Sequence, residues 1–348
     1  FINLTLNANT SVVPSLWNGN TGGVVAVEVD GNLLLNSSAK ISASESGFRG
    51  GATEDQTLGS PPGSVNDIGF CASHVATQGA EKGESIAGFH TEYDAVYSRY
   101  CKSAAANGGG GGNNHNAGGG GGCNVGNVAL PYTGKGVPNP TYNVNWNLEL
   151  AGMGGSISPG GGRGGYSGAT VNQNENTVGP NSTAWGGDYR RKEGGLGGHP
   201  LTQDNTRLFA GGGGGAGDQN NAQGGNGGRG GGIAYIRVYG SISGNGTVEA
   251  NGANGVNANP NGQTAPQLST QKYGNDGAGG AGGGGSIYIS NASAIPNTIT
   301  LQANGGNGGN QVISFGAFAS SPSMEADGPG GGGGGGYISI SSGTPIQQ

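Results

Sequence analysis

Charge is scarce in this chain. Only 14 Lys+Arg and 20 Asp+Glu occur among 348 residues, for a formal net charge of −6. The one basic cluster is Arg190-Arg191-Lys192, far short of the basic stripe that nucleic acid or an anionic membrane requires. No apolar run approaches the roughly 20 residues of a membrane-spanning helix. Proline stops at 15 residues and the glycines keep no triplet period, which excludes a collagen triple helix. Histidine is as sparse: His74, His90, His115 and His199 stand in no His-Glu-x-x-His or nucleophile-elbow setting. Gly-x-Gly-x-x-Gly matches arise by chance in so glycine-rich a chain, and no Walker lysine follows them. A hydrolase with paired carboxylates finds no recognisable motif. The chain is therefore read as a non-enzyme without cofactor or metal. Asn275-Asp276-Gly277 and Asp327-Gly328 carry oxygens suited to Ca²⁺, but their composition is that of plain turns.

Three cysteines, Cys71, Cys101 and Cys123, leave one unpaired. A Cys101–Cys123 disulfide, bracketing the first glycine run, is expected; three separate buried thiols are the alternative. No Cys-x-x-Cys pair supports zinc. Beginning at Phe1 rather than Met, the sequence is either a piece of a longer chain or a mature N-terminus left by signal cleavage, and its richness in Asn, Gly, Ser and Thr fits a secreted surface protein. Asn-x-Ser/Thr acceptors begin at Asn3, Asn9, Asn36, Asn181, Asn245 and Asn291 and matter only in a glycosylating host.

What the chain has in abundance is glycine, 83 residues gathered into runs at 108–112, 118–122, 211–215 and 330–336, with looser stretches at 224–232, 277–285 and 305–309. Glycine loses more backbone entropy on ordering than any other residue. An ordered run is therefore expected only where backbones pack directly on backbones. The runs suit the polyproline-II conformation, with three residues per turn, and neighbouring runs would exchange N–H···O=C bonds. Flexible linker is the competing reading. Alternating segments such as Val24-Val25-Ala26-Val27-Glu28-Val29 need burial and favour order.

A repeat runs through the chain. Residues 231–252, 284–305 and 22–43 each read strand, turn, strand, glycine-rich return. Asn-Gly and Asp-Gly are expected to supply φ > 0 in the turns. Successive copies step by 53 residues, from Gly232 to Gly285, then by 51, from Gly285 to Gly336. After Gly336 only Tyr337-Ile338-Ser339-Ile340-Ser341 follows as a strand, while residues 1–9 resemble the second strand at 298–304. The fold class expected is mainly β: repeated strand–turn–strand units connected by a bundle of polyglycine helices. It forms one domain, with an N-terminal β part at 1–52, an insertion-rich middle at 53–210 and repeats at 211–348.

Unpaired apolar edges are templates for pairing. The strands near the two ends close one sheet within a molecule, pair between molecules, or are ordinary edge strands of a monomer cut from a longer protein. The second course is strand complementation and, being head-to-tail, gives an open filament. Its interface would be Phe1, Ile2, Leu4 and Leu6 against Tyr337, Ile338 and Ile340. Within the middle, Ile86, Phe89, Tyr93, Val96, Tyr97 and Tyr100 fit a short helix or an aromatic capping loop. Residues 143–150 alternate like a strand, and 159–207 read as a polar surface insertion.

Residues 40–51, ending Ser46-Gly47-Phe48-Arg49-Gly50-Gly51, and 106–118, with Asn113-Asn114-His115-Asn116-Ala117-Gly118, resemble glycine-rich regions of large secreted surface proteins of gliding, Bacteroidota-type bacteria, often type IX secretion cargo. A weaker similarity is to the glycine-rich domain of anaplastic-lymphoma-kinase-type receptors and to phage tail-tip adhesins. These resemblances imply a rigid glycine-helix bundle used for binding. The function expected is that of an extracellular structural protein, a filament subunit whose partner is itself. A monomeric adhesin recognising glycans or another cell surface is the alternative.

Overall fold

The computed structural model describes residues 1–53, 79–88, 100, 102–112, 116–126, 160–165, 194–204, 206–219, 223–258, 276–310 and 328–342. Expectations that rest on Cys71, Cys101, residues 143–150, Arg190-Arg191-Lys192 and most of the aromatic segment at 89–99 lie outside them. Among the described residues the regular elements are all strands, so the chain is mainly β. They are β1 (Leu4–Leu6), β2 (Ser11–Val12), β3 (Val24–Val29), β4 (Leu33–Leu35), β5 (Lys40–Ser42), β6 (Ile233–Val238), β7 (Ile242–Gly244), β8 (Thr247–Glu249), β9 (Ser286–Asn291), β10 (Thr300–Gln302) and β11 (Tyr337–Ser342).

Every named pairing is parallel, and the strands form three sheets. The first has the order β1-β4-β7, the second β10-β8-β5-β2, the third β11-β9-β6-β3. The chain therefore winds in coils. It passes from third sheet to first to second, as β3-β4-β5 and again as β6-β7-β8, and then returns to the third sheet one level on. This departs from the two-stranded unit expected from sequence. Each turn carries the chain onto another side of the stack instead of folding a hairpin, and a short third strand, Leu33–Leu35 or Ile242–Gly244, hides inside it. The alignment of residues 1–9 with 298–304 is accordingly corrected: Leu4–Leu6 stacks on Leu33–Leu35 in the first sheet, not on a second-sheet strand. Gly31 and Gly246 do not take positive φ. That conformation falls at Gly244 (φ 104), Ser38 (φ 59) and Asn9 (φ 61). Gly31 is required instead by close approach, since a Cβ there would overlap the Ile2 carbonyl and the Asn3 side chain.

Alternation does place the core. In β3 the inward residues Val25, Val27 and Val29 are buried and Val24, Ala26 and Glu28 are exposed. Parallel register lines these up into rows along the stack, such as Val25–Ala234–Ile287 and Val27–Ile236–Ile289. Leu6 and Leu35 contribute from the first sheet, Ile41 and Val248 from the second, and all join one hydrophobic cluster. Each fully buried Val, Leu or Ile contributes about 1.5–3 kcal/mol. Outside, Tyr235 stacks on Tyr288 with centroids 5.1 Å apart, and Lys40 pairs with Glu249 across β5 and β8 at 3.2 Å.

All three long excursions, β5 to β6, β8 to β9 and β10 to β11, leave the second sheet and return to the third, and they carry the glycine runs. The polyglycine helices expected there do not stand out as regular elements. What is present is a network of backbone hydrogen bonds between runs. Along 118–123 the N–H groups donate in turn to the carbonyls of Gly165, Ala278, Gly110, Gly162, Ala281 and Asn107. Gly118 and Gly121 thus address one neighbouring segment, Gly119 and Gly122 a second, Gly120 and Cys123 a third. Along 211–218 the acceptors are Gly231, Cys123, Glu84, Gly228, Gly120, Glu81, Gly225 and Ala117, with the same recurrence every third residue. Buried donors and acceptors are paired in this way, which leaves no room for side chains between the runs. An asparagine ladder finishes one side. The Oδ1 atoms of Asn251, Asn254 and Asn257 accept from the N–H groups of Asn304, Asn307 and Asn310, each at 2.8 Å.

Candidate functional site

The seven residues expected at an assembly interface fall at opposite ends of the stack. Leu4 and Leu6 point inward from β1, beside Leu33 and Leu35, and Phe1 and Ile2 lie exposed just before it. Tyr337, Ile338 and Ile340 lie in β11, whose described partner is β9. The structure does not bring the two groups together within one molecule, so closure of a single sheet by its own ends does not occur.

Register shows what is unusual about β11. Ile338 pairs with Ile287 and Ile340 with Ile289, which places both in the inward rows of Val25 and Val27. Their counterparts in β9 are buried, yet Ile338 is 41% exposed and Ile340 51%. Among the described residues no strand lies on the other side of them from β9. At the opposite end of the same sheet, β3 has one paired edge, to β6, and one without a strand beside it among the described residues. Val24, at the start of β3, is 50% exposed. The second sheet repeats the pattern: β10 and β2 are its edges, and Leu301 and Val12 are only partly buried against the core. Sequence reasoning found β11 but missed the open edge of β3, because nothing in residues 24–29 distinguishes an edge strand from an inner one.

Next to Val24 lies an apolar cavity of about 210 Å³. Trp17, Val24, Phe48, Phe209 and Ile233 are among its walls, and Trp17 meets Phe48 edge to face at 6.1 Å. The Trp17 indole N–H donates to Glu84 Oε1 at 3.0 Å, while Arg49 Nε donates to Glu84 Oε2 at 2.9 Å. Arg229 donates to the carbonyls of Trp17 and Glu45. Polar groups behind the cavity thus hold its wall to the glycine segments.

Cys123, expected in a disulfide with Cys101, is instead a buried free thiol. Its sulfur fills the space that side chains would occupy at Gly160 and Gly334, so glycine backbone encloses it. Asp276 is buried, not part of an exposed turn, and its carboxylate accepts the Gln223 N–H at 2.7 Å. Among the described residues no group of three His, Cys, Asp or Glu side chains has metal-binding proximity, and no helix is long and apolar enough to cross a membrane.

Two buried groups give a pH signature. Burial lowers the Lys82 ammonium from 10.5 to about 8. Between those values the unfolded chain holds a proton that the folded chain has released, so stability rises with pH through that window. Burial raises the Cys123 thiol from 9.0 to about 12, and above pH 9 this opposes the rise, because there the unfolded chain loses a proton that the folded chain keeps. The urea midpoint is therefore expected to climb between pH 8 and 9 and to flatten above. Lys82→Met should abolish the climb, as urea titrations across that range would show.

No family model, curated protein or solved structure matches this chain.

Proposed function

We propose that this chain is an extracellular structural protein, the subunit of a surface filament assembled head to tail by strand complementation between its two end regions. The observation that carries this reading is the pair of half-exposed isoleucines, Ile338 and Ile340, standing in rows that are buried everywhere else along the third sheet. Exposed inward-row residues on a strand edge favour addition of another strand. The partner is a second copy of the chain, because the opposite end of the stack offers an edge of the same sheet, direction and length. The glycine runs are read as polyglycine helices of the polyproline-II type packed as a bundle. Their return to the same neighbour every third residue agrees with three residues per turn. A bundle so rich in backbone bonds suits a rigid structural element. The other reading, a monomeric adhesin or ligand-binding module of a larger surface protein that takes glycans, draws on the aromatic-walled cavity beside Val24.

Electron microscopy and sedimentation of the purified chain test the proposal. Filaments whose mass grows with concentration are expected. The Ile338→Asp/Ile340→Asp variant should remain a single subunit with unchanged circular dichroism, since both side chains are already half in solvent. Monodisperse wild-type particles at every concentration would overturn the filament and leave glycan binding as the next measurement.

A further inference from the structure

Resting on the filament reading, we propose that β11 of one copy adds as a parallel strand to the open edge of β3 in the next. Tyr337 then lies beside Val24, Ile338 beside Val25, Ser339 beside Ala26, Ile340 beside Val27 and Ser341 beside Glu28. The register follows from the ladder within one molecule, where position 337 aligns with 286, 286 with 233 and 233 with 24. One further step along the same stack carries 337 onto the next copy's 24.

Three features of the two edges fit this step. Both strands are six residues long. Their inward positions are apolar on both sides, so Ile338 and Ile340 continue into Val25 and Val27 and the rows become unbroken. Their outward positions set Tyr337 against Val24, Ser339 against Ala26 and Ser341 against Glu28, with no like charges opposed and no two bulky rings competing for one place. The aromatic side chain of Tyr337 arrives beside the exposed Val24, at the mouth of the apolar cavity.

The second sheet gives an independent check. The same step that places β11 on β3 places β10 of one copy beneath β2 of the next, with Thr300 under Ser11 and Leu301 under Val12, as the rows Thr300–Thr247–Lys40–Ser11 and Leu301–Val248–Ile41–Val12 require. Leu301 and Val12 are the half-buried ends of one inward row. A single translation therefore closes two sheets at once.

This arrangement also changes which segments touch. The Phe1 ammonium donates to the Glu28 carbonyl at 2.9 Å and the Asp30 N–H donates to the Phe1 carbonyl, so Phe1 lies beside Val29, one position past Glu28. In the stack, Ser341 of the first copy sits over Glu28 of the second, and Phe1 of the second copy takes the next position, beside Val29. Residues 1–8 thus continue the coil that β11 begins. The two segments succeed one another around one coil rather than pairing side by side.

Disulfide trapping tests the register, in a background with Cys71 and Cys101 replaced by serine; Cys123 is buried. Neighbouring strands lie about 4.8 Å apart, within the Cα separation that a disulfide spans. Ala26→Cys combined with Ser339→Cys is expected to convert oxidised filaments into a covalent ladder on a denaturing gel, with at least tenfold more product than Thr5→Cys combined with Ser339→Cys, the pair that side-by-side contact of β1 and β11 would trap. Filaments that give no Ala26/Ser339 ladder, or that give the Thr5/Ser339 ladder instead, overturn this register while the filament reading stands. Absence of filaments from the unsubstituted chain overturns both.

Discussion

Gly120→Ala is expected to abolish folding. A Cβ at Gly120 would overlap the carbonyl of Leu196 and crowd that of Gly195, and neither can yield cheaply. The Leu196 carbonyl accepts from Gly110 and the Leu196 N–H donates to Lys102, both at 2.8 Å. Gly120 itself donates to Gly110 and accepts from Gly215. Moving any one of these segments by the width of a methyl group breaks bonds to two others. Each is worth about 1 kcal/mol net when intact and more when a buried group is left unpaired, so the total exceeds the ~4–5 kcal/mol that marks an exceptional substitution. Gly335→Ala is the control. No atom lies within 4 Å of a Cβ there, so the change is expected to be neutral or to stabilise by about 0.4–1 kcal/mol through the unfolded chain. Thermal melts of the two variants beside the parent check the pair. A Gly120→Ala protein that melts with the parent would refute direct backbone packing.

Asn107→Asp is the second large effect. Asn107 is fully buried and ties together three strands of backbone. Its Nδ2 donates to the carbonyls of Cys123 and Ala210, each at 3.1 Å, and its Oδ1 accepts the Ile86 N–H at 3.0 Å. An ionised carboxylate has no donor, so two carbonyl oxygens would face a buried negative charge. A loss of roughly 3–5 kcal/mol at pH 7 is expected, the scale of an uncompensated buried charge. The site favours the neutral acid, so the folded-state pKa of the new carboxyl rises above its unfolded value near 3.9. The unfolded chain then loses its proton first as pH climbs, and the deficit grows from pH 4 to pH 7. Urea titrations at those two pH values read it directly. Equal deficits at both would refute the bridging role of the amide.

The places where sequence and structure diverge share a cause. The spacing of Gly232, Gly285 and Gly336 located β6, β9 and β11 in their true mutual register, because glycine marks where each excursion rejoins the stack. Alternation in 24–29 and 233–238 marked strands that need burial. The middle strands were missed since three residues, as in Leu33-Leu34-Leu35, are too short for a period and read as part of a turn. Parallel direction was equally hidden: an Asn-Gly pair between two β runs signals a hairpin, whereas here the chain turns a corner at Ser38 and Gly244 and passes to another sheet. The enclosure of Cys123 could not be read either, because its walls, Gly160 and Gly334, are distant in sequence and carry no side chain to signal contact.

The glycine network has a thermal consequence. Heat capacity on unfolding rises with newly exposed hydrocarbon, about +0.45 cal/K/mol per Å², and falls with exposed polar groups, about −0.26. Melting the stacked sheets adds to it; melting the glycine runs, which bury peptide groups and little else, subtracts from it. A small heat-capacity change flattens the dependence of stability on temperature. Cooling, which weakens hydrocarbon burial, is therefore expected to take less from the glycine network, joined backbone to backbone, than from the stacked sheets.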